Sequence, residues 1–163
     1  MGIGRFRNSA KAIIIEDGKV LAVCRDDPAF GEWYLLPGGG QRPGEDLHAA
    51  LRRELLEEAG IEIEIDGLVL VREYIGANHE FVDADGDLHQ VELMFVCRRA
   101  GADGRAQTPK VGHAPDADQV RVEWLPLERL PEIPFYPKAL GRMLRDGPEA
   151  LDAGHVVYMG DVN

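Results

Sequence analysis

Cysteine, positive charge and long apolar runs are all scarce in this chain, and each shortage closes off a class of protein. Two cysteines in 163 residues are too few for a disulfide framework. Cys24 and Cys97 lie in apolar, strand-like runs without metal-ligand spacing, so both read as buried, reduced thiols. Lys and Arg number 18 against 29 Asp and Glu, a formal net charge of −11. That balance argues against broad, sequence-independent nucleic-acid binding, which depends on cations meeting phosphates. A small phosphorylated ligand is still allowed, because a bound divalent cation inverts the local field. The basic N-terminal stretch is followed only by the four-residue run Ala12–Ile15, too short for a signal-peptide core or a membrane span. Met1-Gly2 does not begin a myristoylation signal, since position 6 is Phe rather than Ser or Thr. The expectation is a cytoplasmic protein that does not associate with membranes.

What is present fits one globular domain over residues 1–163, long enough for a hydrophobic core. Lys11–Glu16 and Lys19–Cys24 are apolar runs joined by Asp17-Gly18, which predicts a tight β-hairpin. Arg25–Trp33 is polar, contains Pro28 and Gly31, and reads as a loop. Strands are expected at Ile61–Ile65, at Leu68–Tyr74 after Asp66-Gly67, at Gln90–Cys97 and at Val120–Leu125. The acidic stretch Asp83–Asp87 departs from a calcium loop, because its glycine follows the second aspartate and Met94 stands where the closing Glu belongs. A hairpin turn at Asp85-Gly86 is expected there instead. Ala100–Asp118 reads as a long surface loop, Pro126–Pro131 as a turn or short helix, Tyr136–Arg145 as a helix and His155–Tyr158 as a last short strand or a loosely ordered tail. His48, His79, His89, His113 and His155 have no ligand spacing and read as structural or solvent-exposed.

The most informative stretch runs from Pro37 to Ile61. Three glycines, Gly38 to Gly40, precede a helix that starts near Gly44-Glu45-Asp46 and ends at Ala59, with Gly60 after its C-cap. Leu47, Ala50, Leu51 and Leu55 form its buried stripe. Glu54, Glu57 and Glu58 share one face, in the i, i+3, i+4 relation. Like charges one turn apart cost roughly 0.2–0.5 kcal/mol, and these also crowd the negative end of the helix dipole. On a helical wheel Glu54 and Glu58 fall in the same sector as Leu47 and Leu51, so the carboxylates continue the inward face. A bound cation would resolve both conflicts.

Gly39, Glu45 and the run Arg53-Glu54-Leu55-Leu56-Glu57-Glu58-Ala59-Gly60-Ile61 match every fixed position of the Nudix box, and the chain resembles the Nudix hydrolases. Trp33 ahead of Leu36-Pro37-Gly38-Gly39, and Glu123-Trp124 downstream, resemble the family's usual framing. The resemblance implies an α/β fold, the Nudix-type α/β/α sandwich with a mixed β-sheet between helices. It implies hydrolysis of a nucleoside diphosphate linked to another moiety, a small nucleotide-type substrate, with Mg²⁺ as cofactor and Mn²⁺ as a substitute. By motif, Glu54, Glu57 and Glu58 are metal ligands, joined by the carbonyl of Gly38. Hard carboxylate oxygens suit Mg²⁺, which completes its octahedron with water and substrate phosphate and promotes attack of water at phosphorus. Glu45 and Arg53 form an orienting ion pair.

The general base is open between Glu57, Glu58 and Asp118; Gln119, beside Asp118, cannot serve. Glycines at 38, 39 and 40 permit positive φ and close backbone approach, which makes Gly39 and Gly40 candidates for substrate contact. Arg25 reads equally as a phosphate ligand or a surface charge, and Trp33, Tyr34 and Tyr74 as base-stacking or packing residues. Two other readings compete: a nucleotide sensor without turnover, and a pyrophosphohydrolase of RNA 5′ ends, which the acidic charge disfavours. Tyr74-Ile75-Gly76-Ala77 lacks the proline that often marks relatives cleaving ADP-ribose, and no coenzyme A signature precedes Pro37. Homodimers are common in the family, so the partner expectations extend to a second copy of the chain.

Overall fold

A computed structural model describes residues 4–101 and 106–163; the Met1-Gly2 reading and part of the expected long loop, residues 102–105, lie outside the described residues. Strand β1 spans Arg5–Ile13 and β2 spans Ile15–Glu16. Asp17 (φ 48°) and Gly18 (φ 70°) turn the chain into β3, Lys19–Asp27. Two successive left-handed residues match the right-handed twist of a tight hairpin, and Ile15 pairs with Val20 as predicted.

The polar stretch 25–33 is not a loop. It forms much of another hairpin, in which β3 pairs with β4, Gly31–Leu35, from Val23↔Leu35 to Asp27↔Gly31. Asp27 Oδ1 accepts from the Ala29 and Phe30 amides at 2.7 and 3.2 Å, so an Asx turn confines the bend to Pro28–Phe30.

The glycines form β5, Gly38–Gly40, and helix α1 spans Leu47–Ala59. Asp46 caps α1 by accepting from the Ala49 amide at 2.7 Å, and Gly60 ends it in the left-handed conformation (φ 63°). Strand β6 runs unbroken over Glu62–Ile75. Asp66-Gly67 is therefore a bulge, not a turn: the register against the next strand shifts between Ile65 and Gly67 and again between Leu68 and Leu70. The Asp85-Gly86 hairpin is also absent. A 3-10 turn at Gly76–Asn78 and a short helix α2, Val82–Asp85, connect β6 to β7, Leu88–Ala100. Gly86 is right-handed helical there, so the Asp-Gly pair lacks the positive φ that a tight hairpin turn needs.

Beyond 106 the chain folds back on α1, with the amides of Lys110, Gly112 and Ala114 donating to the carbonyls of Ala59, Glu58 and Glu57 at 3.0–3.2 Å. The expected surface loop thus satisfies the helix's orphan C-terminal acceptors. Strand β8 (Gln119–Pro126), a 3-10 segment (Leu127–Glu132), β9 (Phe135–Tyr136), helix α3 (Lys138–Asp146) and β10 (Val157–Asp161) complete the described chain.

Two mixed sheets result. One has the order β10-β6-β7-β1-β5; the other has the order β2-β3-β4-β9, with β8 also on β3. Side-chain parity then builds the sandwich. Along β1 and β3, with the residue that joins β1 to β2, Ala10, Ala12, Ile14 and Leu21 join Leu51, Leu55 and Ala59 of α1 in one core. Ile13, Val20, Ala22 and Cys24 join Leu140 and Leu144 of α3 in the other. Both cysteines are buried, free thiols, and burial pushes Cys97 up to about 12. Among the described residues no helix is long and apolar enough to cross a membrane.

Candidate active site

On the first sheet, the face opposite α1 is polar where a core would be apolar. Period-two alternation places Arg7, Ser9 and Lys11 of β1 beside Gln90 and Glu92 of β7, with Arg72 and Tyr74 of β6 next in register. This face floors a cleft of about 550 Å³, walled in part by Gly38–Gly40, Glu54, Arg25, Trp33 and Asp118.

Arg53 holds the box together. Its Nε and Nη2 donate to Glu45 Oε1 and Oε2 at 2.5 and 3.0 Å, and Nη2 also reaches the Gly40 carbonyl at 3.0 Å. Nη1 donates to Glu54 Oε1 at 2.7 Å and to Glu57 Oε2 at 3.1 Å. One guanidinium therefore ties the loop to the helix and partly neutralises two of the crowded carboxylates. The bidentate bond from Arg53, with the Arg42 amide, holds Glu45 down at about 2; the same contacts raise Arg53.

Glu58 is 3% exposed. Its Oε2 accepts from the Gly38 amide at 2.8 Å, and its Oε1 lies 3.8 Å from Arg25 Nη2, beyond hydrogen-bond reach. Desolvation outweighs the nearby cations Lys11 and Arg25 and raises its carboxyl to about 7.

The glycines serve different needs. Only Gly38 among them has positive φ (133°), and a Cβ there would stand 2.1 Å from the Ala10 carbonyl oxygen. At Gly39 a Cβ would meet the Glu54 carboxylate at 2.6–2.8 Å, so that residue is small to leave room for Glu54. Gly40 needs neither: a Cβ there has ordinary contacts.

Among the described residues no three acidic, histidine or cysteine side chains already converge as a preformed metal cage. The donors are nonetheless hard oxygens on one helical face beside a glycine strand, and they fit Mg²⁺ or Mn²⁺ in kind.

Arg25 is not a plain surface charge. Its guanidinium binds Asp116, donates to Asp118 Oδ1 at 3.1 Å and lies 5.9 Å from the centre of the Trp33 ring. Asp118 thus enters the cleft wall already paired. Trp33 lines the cleft with Phe81 and Tyr136, their rings 5.2–6.2 Å apart. Tyr34 instead packs in the α3 core, its hydroxyl donating to Glu123 Oε2 at 3.1 Å. Tyr74 lines the cleft but is buried, stacked on His79 and donating to Asp85 Oδ2 at 3.2 Å. His79 and His89 are taken up by Asp161 and Glu73.

Lys11, Arg72, Gln90 and Glu92 do not stand out in the sequence. Their signal is a set of polar residues at alternate positions in strands, and that pattern ordinarily marks a solvated face. The structure encloses that face.

Comparison with known proteins places the chain in one family. A family model described as the NUDIX domain matches residues 5–146. The chain is 37% identical over 90 residues to nucleoside diphosphate-linked moiety X motif 6 of Xenopus laevis, covering 55% of this chain and 38% of that protein. It is 35% identical over 121 residues to the human 8-oxo-dGDP phosphatase NUDT18, covering 74% of this chain and 30% of that protein. The chain therefore spans well under half the length of these two relatives. Among solved structures, a MutT NUDIX hydrolase from Burkholderia pseudomallei superposes with a TM-score of 0.65 at 22% identity, covering 86% of this chain and 98% of that one.

Proposed function

Because the chain belongs to the Nudix family, we propose that it is a divalent-metal-dependent pyrophosphohydrolase of a small nucleoside diphosphate derivative. The observation that carries this reading is Glu54 on the wall of a cleft of about 550 Å³ and against Gly39, with Glu58 accepting from the Gly38 amide and Glu57 tied to Glu54 through Arg53; the cleft's size suits a small-molecule ligand. The residues that would hold the ion are Glu54, Glu57 and Glu58; the Gly38 carbonyl is the weaker candidate, since Lys11 Nζ already donates to it at 3.0 Å. When bound, Mg²⁺ or Mn²⁺ neutralises pyrophosphate charge and acidifies the attacking water.

The chain's own groups supply the rest. Arg53, fixed by Glu45, orients Glu54 and Glu57. The proton acceptor is one of Glu57, Glu58 and Asp118; burial holds Glu58 up at about 7 in the metal-free protein, and a bound cation would lower it. Asp118 is less suited because Arg25 already occupies it. Aromatic rings of Trp33, Phe81 and Tyr136 offer apolar surface for a base. The activity for which the human relative is named makes 8-oxo-dGDP a sensible first substrate to try, alongside other nucleoside diphosphate derivatives.

The test is a nucleotide panel with Mg²⁺ or Mn²⁺, run on wild type, Glu57→Gln and Glu58→Gln. We expect wild-type release of phosphate or monophosphate, and a fall of about 10²-fold or more in either variant with unchanged far-UV spectra. Near-normal kcat in either variant across a wide Mg²⁺ range defeats the assignment. Tight nucleotide binding by wild type with no product favours a sensor.

A further inference from the structure

Lys11 is 6% exposed, yet it lines the cleft between the glycine strand and the polar floor. An ammonium carries three donors and no acceptor, and a buried one must find partners to offset the loss of water. Lys11 Nζ donates to the Gly38 carbonyl at 3.0 Å. The anions near it are committed elsewhere. Glu92 accepts from Arg72 Nε at 2.5 Å and from Gln90 Nε2 at 2.8 Å, and Glu58 Oε2 accepts from the Gly38 amide. The cation therefore sits beside the glycine strand, at the cleft's inner surface, with donor capacity beyond that one bond.

We propose that Lys11 is a substrate-contacting residue whose ammonium donates to a non-bridging oxygen of the substrate's pyrophosphate from the floor of the cleft. The assignment rests on the pyrophosphohydrolase reading above and adds to it a cation outside the box. An oxygen-rich anion is the ligand that suits a compact ammonium. The neighbouring Gly38–Gly40 strand and Glu54 place that anion next to the donors that would hold the metal. The competing role is a brace that only steadies the Gly38 peptide.

The two roles separate in binding measurements that need no turnover. Calorimetric titration with inorganic pyrophosphate in Mg²⁺, and separately with Mn²⁺ alone, is compared for wild type, Lys11→Met and Lys11→Gln. Methionine keeps the buried volume without charge, and glutamine restores a neutral donor if methionine does not fold. We expect pyrophosphate affinity to fall at least tenfold in Lys11→Met and less in Lys11→Gln. Mn²⁺ affinity without pyrophosphate should stay within twofold of wild type. On a hydrolysed nucleotide, KM should rise by a similar factor. Equal pyrophosphate affinity in a folded variant, while wild type binds and hydrolyses, overturns the Lys11 assignment alone. A parallel loss of Mn²⁺ affinity assigns Lys11 to bracing Gly38 and also overturns it. Wild type that neither binds pyrophosphate nor turns over any nucleotide overturns the functional reading as well.

Discussion

Glu58 and Glu45 carry opposite shifts, and each sets a stability window of its own. Burial raises Glu58 to about 7 from an ordinary 4.5, so the folded protein holds that proton more tightly than the unfolded chain. Its contribution is full below pH 4.5 and lost as pH rises through 7, by on the order of 3 kcal/mol. Glu45, held at about 2 by Arg53, behaves in reverse: its contribution is full above pH 4.5 and is lost as pH falls toward 2. Thermal melts of metal-free protein across pH should therefore show Glu58→Gln gaining on wild type between pH 5 and 8. Glu45→Gln should differ from wild type at neutral pH and converge with it in acid. A Glu58→Gln curve parallel to wild type through pH 5–8 would show that Glu58 titrates normally. The box spacing identified both carboxylates. Glu45 is set by Arg53 and Arg42 within the box itself, whereas the surroundings of Glu58 include Lys11 and Arg25, which reach the box only in the folded chain.

The loop and helix of the box were legible in outline: Gly60 ends α1 where the glycine signal placed it, and α1 begins just past the expected Gly44-Glu45-Asp46 start, with Asp46 as its cap. In the sequence the three glycines look alike, as sites of positive φ, and the structure separates them. Gly39→Ala should leave the melting temperature nearly unchanged, because its new methyl meets a movable carboxylate rather than backbone. Displacing Glu54 should weaken Mn²⁺ binding roughly 10–100-fold. Gly40→Ala should resemble wild type in both measurements, and Gly38→Ala should unfold readily, since its methyl strikes the Ala10 carbonyl. If Gly39→Ala bound Mn²⁺ as wild type does, the space beside Glu54 would have no functional meaning. The bulge at Asp66-Gly67 and the helical connection through Val82–Asp85 escaped the sequence for one reason. An Asp-Gly pair signals a local bend, but whether the chain then reverses or continues depends on the partner strand, here β7.

Across the molecule, Arg72 and Glu92 form a buried ion pair in the middle of the first sheet, with 7% and 6% side-chain exposure. Arg72 Nη1 also donates to the Val162 carbonyl at 2.6 Å, tying the segment after β10 to the cleft floor. Removing one partner leaves the other charged and buried, so Arg72→Met should cost about 3–5 kcal/mol in urea unfolding, and the double variant Arg72→Met/Glu92→Met should recover most of it. Additive losses in the double variant would mean that the two do not act as a pair. By itself the sequence determined the family, the α/β class and the box helix with its closing glycine, because these rest on local spacing and periodicity. It did not determine that one polar strand face would be roofed over, that Arg25 would be spent on Asp116 and Asp118, or that Lys11 would lie beside Gly38. Those facts depend on which strands meet. β1 runs parallel to β7 across some eighty residues of chain, and no local pattern encodes a pairing of that range. The shortage of positive charge is thus a whole-chain average: Lys11, Arg25, Arg53 and Arg72 gather around the cleft and its box only when the sheets close.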